Sequence, residues 1–264
     1  MTQTRSGIVI QARTGSTRFP GKVLADLHGQ PMILREVERL RCTAGIDTII
    51  VATTDSPADD ALAACIADAE GVELFRGPEA DVLARFAGAA AAFDLDIIGR
   101  VTGDCPLIDP VVVGQVFGRF RETEGCDYGS ICRPRSYPHG MDIEIVSRTA
   151  LDAAASEATD PFDREHVLVY VFTQPERFRC INVIAPDPGH VGLRLTVDYP
   201  DDLALVRAIY AALYDKDPAF DLAEILRLIE QRPDIARLNA DVPAHESITD
   251  ASQRGHPRSV GISS

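Results

Sequence analysis

Tryptophan is absent from this 264-residue chain, methionine occurs three times, and aromatic residues make up 6% of it. No apolar run approaches the about 18–20 residues that a membrane helix needs, and the polar break at Gln11 comes too early for a secretory leader. These absences predict a soluble cytoplasmic protein that does not engage membranes. The six cysteines contain no C-x-x-C pair and no histidine at zinc-ligand spacing, which excludes a zinc ribbon and a dithiol redox motif. Buried, reduced thiols are the expectation. Lysine is scarcer still: two residues, Lys22 and Lys216, beside 24 arginines. The 26 basic residues are outnumbered by 40 acidic ones, giving a net charge of -14, which argues against docking on a nucleic-acid backbone or an anionic lipid surface.

What is present is a strict alternation of short β-branched runs and longer helical stretches. Strands are predicted at Ile8-Val9-Ile10, Ile49-Ile50-Val51, Val72 to Phe75 and Ile97 to Val101. Helices are predicted between them over 31–43, 57–69 with Ser56 as N-cap, 81–93, and from Pro110 to about Phe120. That order implies right-handed βαβ units and a mostly parallel sheet between two helical layers. After residue 125 the rhythm loosens. Strand-like pieces at 127–132, 142–146, 178–184 and 193–197 accompany helices near 148–157 and 164–173, and helices over 201–214 and 221–231 close the chain. No linker separates the halves, so residues 1–238 are expected to form one α/β domain, with 125–190 as an insert and 239–264 as a polar tail.

The most informative stretch runs from Gln11 through Ala12, Arg13, Thr14, Gly15, Ser16, Thr17, Arg18, Phe19, Pro20 and Gly21 to Lys22. It follows the first strand, where open α/β sheets bind ligands beyond the strand carboxyl ends. Its glycines allow tight turns that present N–H groups to phosphate, and Arg13, Arg18 and Lys22 add positive charge. The first 41 residues carry seven basic and three acidic side chains, a local excess in an acidic chain. The spacing is neither a Walker A loop nor a G-x-G-x-x-G turn. A compact ammonium at Lys22, in a chain that otherwise uses arginine, suits a phosphate oxygen.

Acids complete the pattern. Asp104 follows the fourth strand between Gly103 and a proline-bearing turn, and Asp198 ends the apolar run 193–197 just before Pro200. Two such acids could hold Mg²⁺ against substrate phosphates. Asp201 and Asp202 read as helix-dipole partners. Alternation puts Asp142 and Glu144 on one strand face, for which a solvated surface is the commoner explanation. Asp163-Arg164-Glu165-His166 either opens a helix with a solvated charged turn or sends Arg164 and His166 toward a substrate.

Taken in order, IVIQARTGSTRFPGKVL (8–24), GDCPLIDP (103–110), HGMDIEI (139–145), DREHV (163–167) and LRLTVDYPDDL (193–203) resemble the cytidylyltransferase family of CMP-KDO synthetases and acylneuraminate cytidylyltransferases. The resemblance spans about residues 7–215 and is strongest to the spore coat polysaccharide biosynthesis branch. It implies a Rossmann-like nucleotidyltransferase fold, CTP as cosubstrate, Mg²⁺, an acidic-sugar acceptor, release of pyrophosphate, and a homodimer joined through the 125–190 insert. It assigns Arg13 and Lys22 to the triphosphate and Asp104 with Asp198 to magnesium. Gln11, Ala12, Gly15 and Ser16 join the nucleotide site, with Arg76 and Asp81 near base and ribose. His139, Asp142, Glu144, Arg164 and His166 line the acceptor side. Two alternatives stand beside it: transfer to a phosphorylated acceptor, giving a diphosphate-linked product, and a catalytically silent nucleotide-binding subunit. A glycosyltransferase would want Asp-x-Asp after a strand, and Asp94-Leu95-Asp96 and Asp215-Lys216-Asp217 lie elsewhere.

Overall fold

A computed structural model of the chain describes residues 4–243. Strand β1 (Ser6–Gln11) is followed by a short hairpin, β2 (Asp26–Leu27) and β3 (Gln30–Pro31), and by helix α1 (Met32–Leu40). Then come β4 (Thr48–Thr54), α2 (Asp60–Ala67), β5 (Glu73–Gly77), α3 (Val82–Ala92), β6 (Ile97–Thr102) and α4 (Pro110–Glu122). The second half carries β7 (Tyr128–Ser130), β8 (Glu144–Ser147), α5 (Arg148–Glu157), α6 (Pro161–His166), α7 (Val169–Phe172) and β9 (Cys180–Asn182). Helices α8 (Pro200–Leu213), α9 (Leu222–Gln231) and α10 (Pro233–Ala236) complete the described chain.

Seven strands form one sheet in the order β5-β4-β1-β6-β8-β7-β9. β1 pairs in parallel with β4 on one side and β6 on the other, while β8 runs antiparallel to both β6 and β7. Alternation along β1 explains the three layers. Ile8 and Ile10 pack with Met32, Ile33, Val113 and Phe117 on one face, and Val9 packs with Leu83, Phe86 and Leu151 on the other. Both faces are buried, so the parallel strands read as continuous apolar runs. The chain steps from β1 outward to β4 and β5, then returns to β6 on the opposite side of β1. A crevice therefore opens beyond the carboxyl ends of β1 and β6, where strand order reverses.

Local signals set several boundaries. Ser56 accepts from Ala58 N–H at 3.4 Å and Asp81 from Ala84 N–H at 2.9 Å. Asp109 accepts from Val111 N–H at 2.7 Å with Pro110 in the first turn of α4. Other expectations need correction. Residues 193–197 form no sheet strand; this extended segment is bound through Leu195 N–H to the His139 carbonyl at 2.7 Å and through Val197 N–H to the Asp104 carbonyl at 2.8 Å. The helix expected over 164–173 is two helices, broken at Val167 with φ 61°. Only Cys105 and Cys126 are buried; Cys42 and Cys180 are exposed. Asn239, the first residue of the expected polar tail, is buried against the site described next; residues 244–264 lie outside the described part.

Candidate active site

The crevice is a cavity of about 760 Å³ bordered by the basic turn, the β6 end, the loop before β8, helix α6 and the segment around Asp198. The turn is built by its backbone. The Thr14 carbonyl accepts from Ser16 N–H and Gly21 N–H, both at 2.9 Å, and Gly21 takes φ 73°, a left-handed conformation open to glycine. Asp59 anchors it from the turn between β4 and α2. One carboxylate oxygen accepts from Thr14 N–H at 2.7 Å and the Thr14 hydroxyl at 2.6 Å, while the other accepts from the Thr54 hydroxyl. Burial works against ionisation of Asp59, and these donors outweigh it to hold its pKa below the usual aspartate range.

Asp104 and Asp198 meet on one atom. Lys22 Nζ donates to Asp104 Oδ2 at 2.9 Å, Asp198 Oδ1 at 2.9 Å and the Val197 carbonyl at 2.7 Å. The two acid-bearing segments are laced together because the Asp104 carbonyl accepts from Val197 N–H at 2.8 Å and from the Thr196 hydroxyl at 3.0 Å. Burial disfavours the Lys22 charge, but Asp104 and Asp198 overcome it and raise the lysine pKa above its ordinary value. Burial likewise opposes ionisation of Asp198. Lys22, Arg18 at 2.5 Å and Arg194 at 2.8 Å more than offset that and hold this carboxyl well below the usual carboxylate range. Lys22 was expected on the triphosphate; here its ammonium is committed to the two carboxylates.

Arg194, Asp202 and Asn239 together fix Asp198. Arg194 Nε pairs with Asp202 at 2.9 Å, and Asp202 accepts from Asp198 N–H at 2.9 Å and Tyr199 N–H at 3.0 Å. Asn239 donates to the Arg194 carbonyl at 3.0 Å and to Asp202 at 2.9 Å. Asp202 therefore does more than face the α8 dipole. Gly140 (φ 107°) lets the loop before β8 press on this segment, since a Cβ there would lie 2.6 Å from the Leu195 carbonyl carbon.

The far wall carries charge in matched pairs. Asp142 and Glu144 do not occupy a solvated face. Asp142 meets Arg135 at 2.6 Å and His139 at 3.6 Å, and Glu144 accepts from Arg133 at 2.8 Å, Tyr128 at 2.6 Å and Arg100. Burial opposes the Glu144 charge, yet Arg133 and Arg100 bring its pKa down to about 2. Burial lowers the His139 pKa, with Asp142 opposing, so the imidazole favours its neutral form. Arg133 also stacks 3.7 Å over the Phe172 ring.

Gln11, Ala12, Arg13, Gly15 and Ser16 border the cavity, as do His139, Asp142, Glu144 and His166. Three expected residues do not. Arg76 binds the Thr54 and Ser56 carbonyls at 2.9 Å and pairs with Asp60 at 2.8 Å. Asp81 caps α3 and pairs with Arg164 at 2.6 Å. Arg164 spends its remaining donors on the carbonyls of Ala155 and Ala158, so α6 turns it toward α3 and α5 while Glu165 and His166 reach the cavity. Sequence reading passed over Arg100, Arg133, Arg135 and the anchors Asp59, Arg194 and Asn239. Arg100 carried a signal, an arginine amid the apolar β6 run; the anchors carried none.

Comparison with known proteins adds relatives of known type. A family model described as cytidylyltransferase matches residues 8–232. The chain is 34% identical to the spore coat polysaccharide biosynthesis protein SpsF of Bacillus subtilis, over 86% of this chain and 95% of that protein. It is 31% identical to a 3-deoxy-manno-octulosonate cytidylyltransferase of Anaeromyxobacter sp. strain K, over 78% of this chain and 97% of that one. Among solved structures, a cytidylyltransferase from Leptospira borgpetersenii superposes with a TM-score of 0.84 at 30% identity, covering 92% of this chain and all of that chain.

Proposed function

Since the chain belongs to the cytidylyltransferase family, we propose that it transfers CMP from CTP to an acidic sugar with release of pyrophosphate, in the making of a surface polysaccharide or glycoconjugate. One observation carries this reading: Asp104 and Asp198 converge beside the basic turn at the carboxyl ends of β1 and β6, facing an arginine-rich wall across a cavity large enough for a nucleotide and a sugar. Arg13, Arg18 and the N–H groups near Gly15 and Ser16 bind the triphosphate and steady the departing pyrophosphate. The acceptor hydroxyl attacks the α-phosphorus in line, and positioning with charge neutralisation dominates, as in other phosphoryl-type transfers. Arg135, His139 and His166 orient the acceptor, and a sugar carboxylate finds guanidinium groups on that wall.

The residues present suit Mg²⁺. Asp104 and Asp198 are two hard carboxylates beside a phosphate site, the donor set that this ion uses together with phosphate oxygens and water. Among the described residues no cluster of three or more histidine, cysteine or acidic side chains suggests a different metal site. When bound there, the ion would supply charge neutralisation at the reacting phosphate. The homodimer is proposed through the 125–190 region, supported by β9 lying at the sheet edge with Ile184, just beyond it, 53% exposed. A cytoplasmic location fits a CTP-dependent reaction, and no helix among the described residues is long and apolar enough to cross a membrane.

The test is a thermal-shift series with the four nucleoside triphosphates and magnesium, followed by pyrophosphate release with octulosonate and nonulosonate acceptors. CTP is expected to raise Tm most and to yield a product with one phosphate between nucleoside and sugar. No shift with any triphosphate, or a product retaining two phosphates, overturns the proposal.

The Asp59 anchor yields a separate expectation. Asp59→Ala frees Thr14 and loosens the turn, so Kd for CTP rises about tenfold, or about 1.4 kcal/mol, with a smaller change in kcat. Isothermal titration with CTP checks this; unchanged affinity would mean the turn holds its shape without Asp59.

A further inference from the structure

We propose that Lys22 is a stand-in cation: in the resting protein it occupies the two carboxylates, so that a divalent metal enters only together with the nucleoside triphosphate. The inference rests on the reading of Asp104 and Asp198 as the metal-holding pair and adds an order of binding to it.

The geometry uses every donor of the lysine. A lysine ammonium has three N–H groups and no acceptor. All three are used, on Asp104 Oδ2, Asp198 Oδ1 and the Val197 carbonyl, and the side chain is 9% exposed. The other carboxylate oxygens are also taken: Asp104 Oδ1 accepts from the Thr102 hydroxyl at 2.6 Å, and Asp198 Oδ2 from Arg194 at 2.8 Å. Arg18 adds a third positive charge 2.5 Å from Asp198 Oδ1. Lys22 and Arg18 thus sit directly on the two carboxylates, with Arg194 shared between Asp198 and Asp202, and a bare metal ion would have to displace cations already paired there.

A triphosphate changes that balance. Its oxygens offer Lys22 and Arg18 alternative anionic partners, and both residues belong to the turn that borders the cavity. When the two side chains move to phosphate, the carboxylates are left exposed beside the same phosphate chain that carries the metal. Residue type supports the role. A compact ammonium on a flexible stem can sit among three acceptors and then swing away, whereas a planar guanidinium would fork onto one carboxylate. Lysine stands here although 24 of the 26 basic residues are arginine.

The experiment measures Mn²⁺ binding to the full chain by water-proton relaxation enhancement, which separates protein-bound Mn²⁺ from Mn²⁺ that is free or on nucleotide alone. Wild type without nucleotide is expected to bind Mn²⁺ at least tenfold more weakly than Lys22→Met, and to bind it well once CTP is added. Lys22→Met/Asp198→Asn should lose the gain. In thermal melts, Mn²⁺ alone should raise the Tm of Lys22→Met and leave wild type nearly unchanged. Wild type that binds Mn²⁺ without nucleotide as tightly as with CTP overturns the stand-in role, and this holds even if Lys22→Met fails to fold. A folded Lys22→Met with no gain overturns it too. If no form binds Mn²⁺ even with CTP, the assignment of Asp104 and Asp198 to metal falls, and this inference with it.

Discussion

Asp198→Ala is expected to lower kcat by about 10²–10³-fold while Kd for CTP changes only a few-fold. The reason lies in what Asp198 touches. It contacts Lys22, Arg18 and Arg194 and faces the cavity beside Asp104, so in the proposed reaction its charge acts on the phosphate chain. An interaction made mainly in the transition state shows in kcat; one made equally in the ground state shows in binding. Removing the carboxylate also leaves Arg18, Lys22 and Arg194 facing one another, so circular dichroism and a melt belong with the kinetics. Steady-state pyrophosphate release with CTP and an acidic sugar is the measurement. Near-normal turnover in a folded variant would remove Asp198 from the reaction.

The largest stability effect is expected at Glu144. Its two oxygens hold Arg100, Arg133 and the Tyr128 hydroxyl, and the side chain is buried. Glu144→Ala strands two largely buried guanidinium groups, and breaking such a network from one side costs about 3–5 kcal/mol. That is a large share of the about 5–15 kcal/mol by which domains are stable. Urea unfolding at neutral pH measures it; a loss below about 1 kcal/mol would mean that solvent reaches the arginines freely.

The same residue predicts a pH dependence. Its pKa in the folded protein, about 2, lies below the ordinary glutamate value of 4.5. A depressed pKa means that the folded state favours the ionised form, so the contribution is complete above 4.5 and fades as pH falls toward 2. Asp198 and Asp142, also depressed, titrate in the acid range as well. The diagnostic quantity is therefore wild type minus Glu144→Gln, which should shrink across that interval. A difference that stays constant through it would show that Glu144 gains nothing from its arginines.

Much of the fold was readable locally. Apolar runs at period two and helical runs at period 3.6 report on neighbours a few residues away, and the cap at Ser56 sits beside the helical turn it starts. The basic turn was legible because glycine and unopposed cations recur within twelve residues directly after a strand. Where local pattern misled, tertiary contact had overruled it. Leu193 to Val197 looks like a strand, yet its hydrogen bonds go to His139 and Asp104, outside any strand ladder. Asp142 and Glu144 alternate as a solvated face would, but arginines from β6 and the 133–135 loop neutralise them and make burial tolerable. Arg164 and His166, two residues apart, go to different places because α6 packs one side on α3 and α5 and turns the other to the cavity.

By itself, then, the order of residues determined the α/β layering, the basic glycine turn after β1 and the presence of acids at the ends of apolar runs. Only the folded molecule decided that Asp104 and Asp198, far apart in the chain, share the Lys22 ammonium, that Arg76 and Asp81 serve structure away from the cavity, and that Asn239 buttresses Asp198 through Asp202. Side-chain periodicity is set by the backbone within a few residues. Which distant acids become neighbours is set by the strand order across β1 and β6 and by the hydrogen bonds joining 193–198 to 104 and 139, and no short-range pattern encodes those.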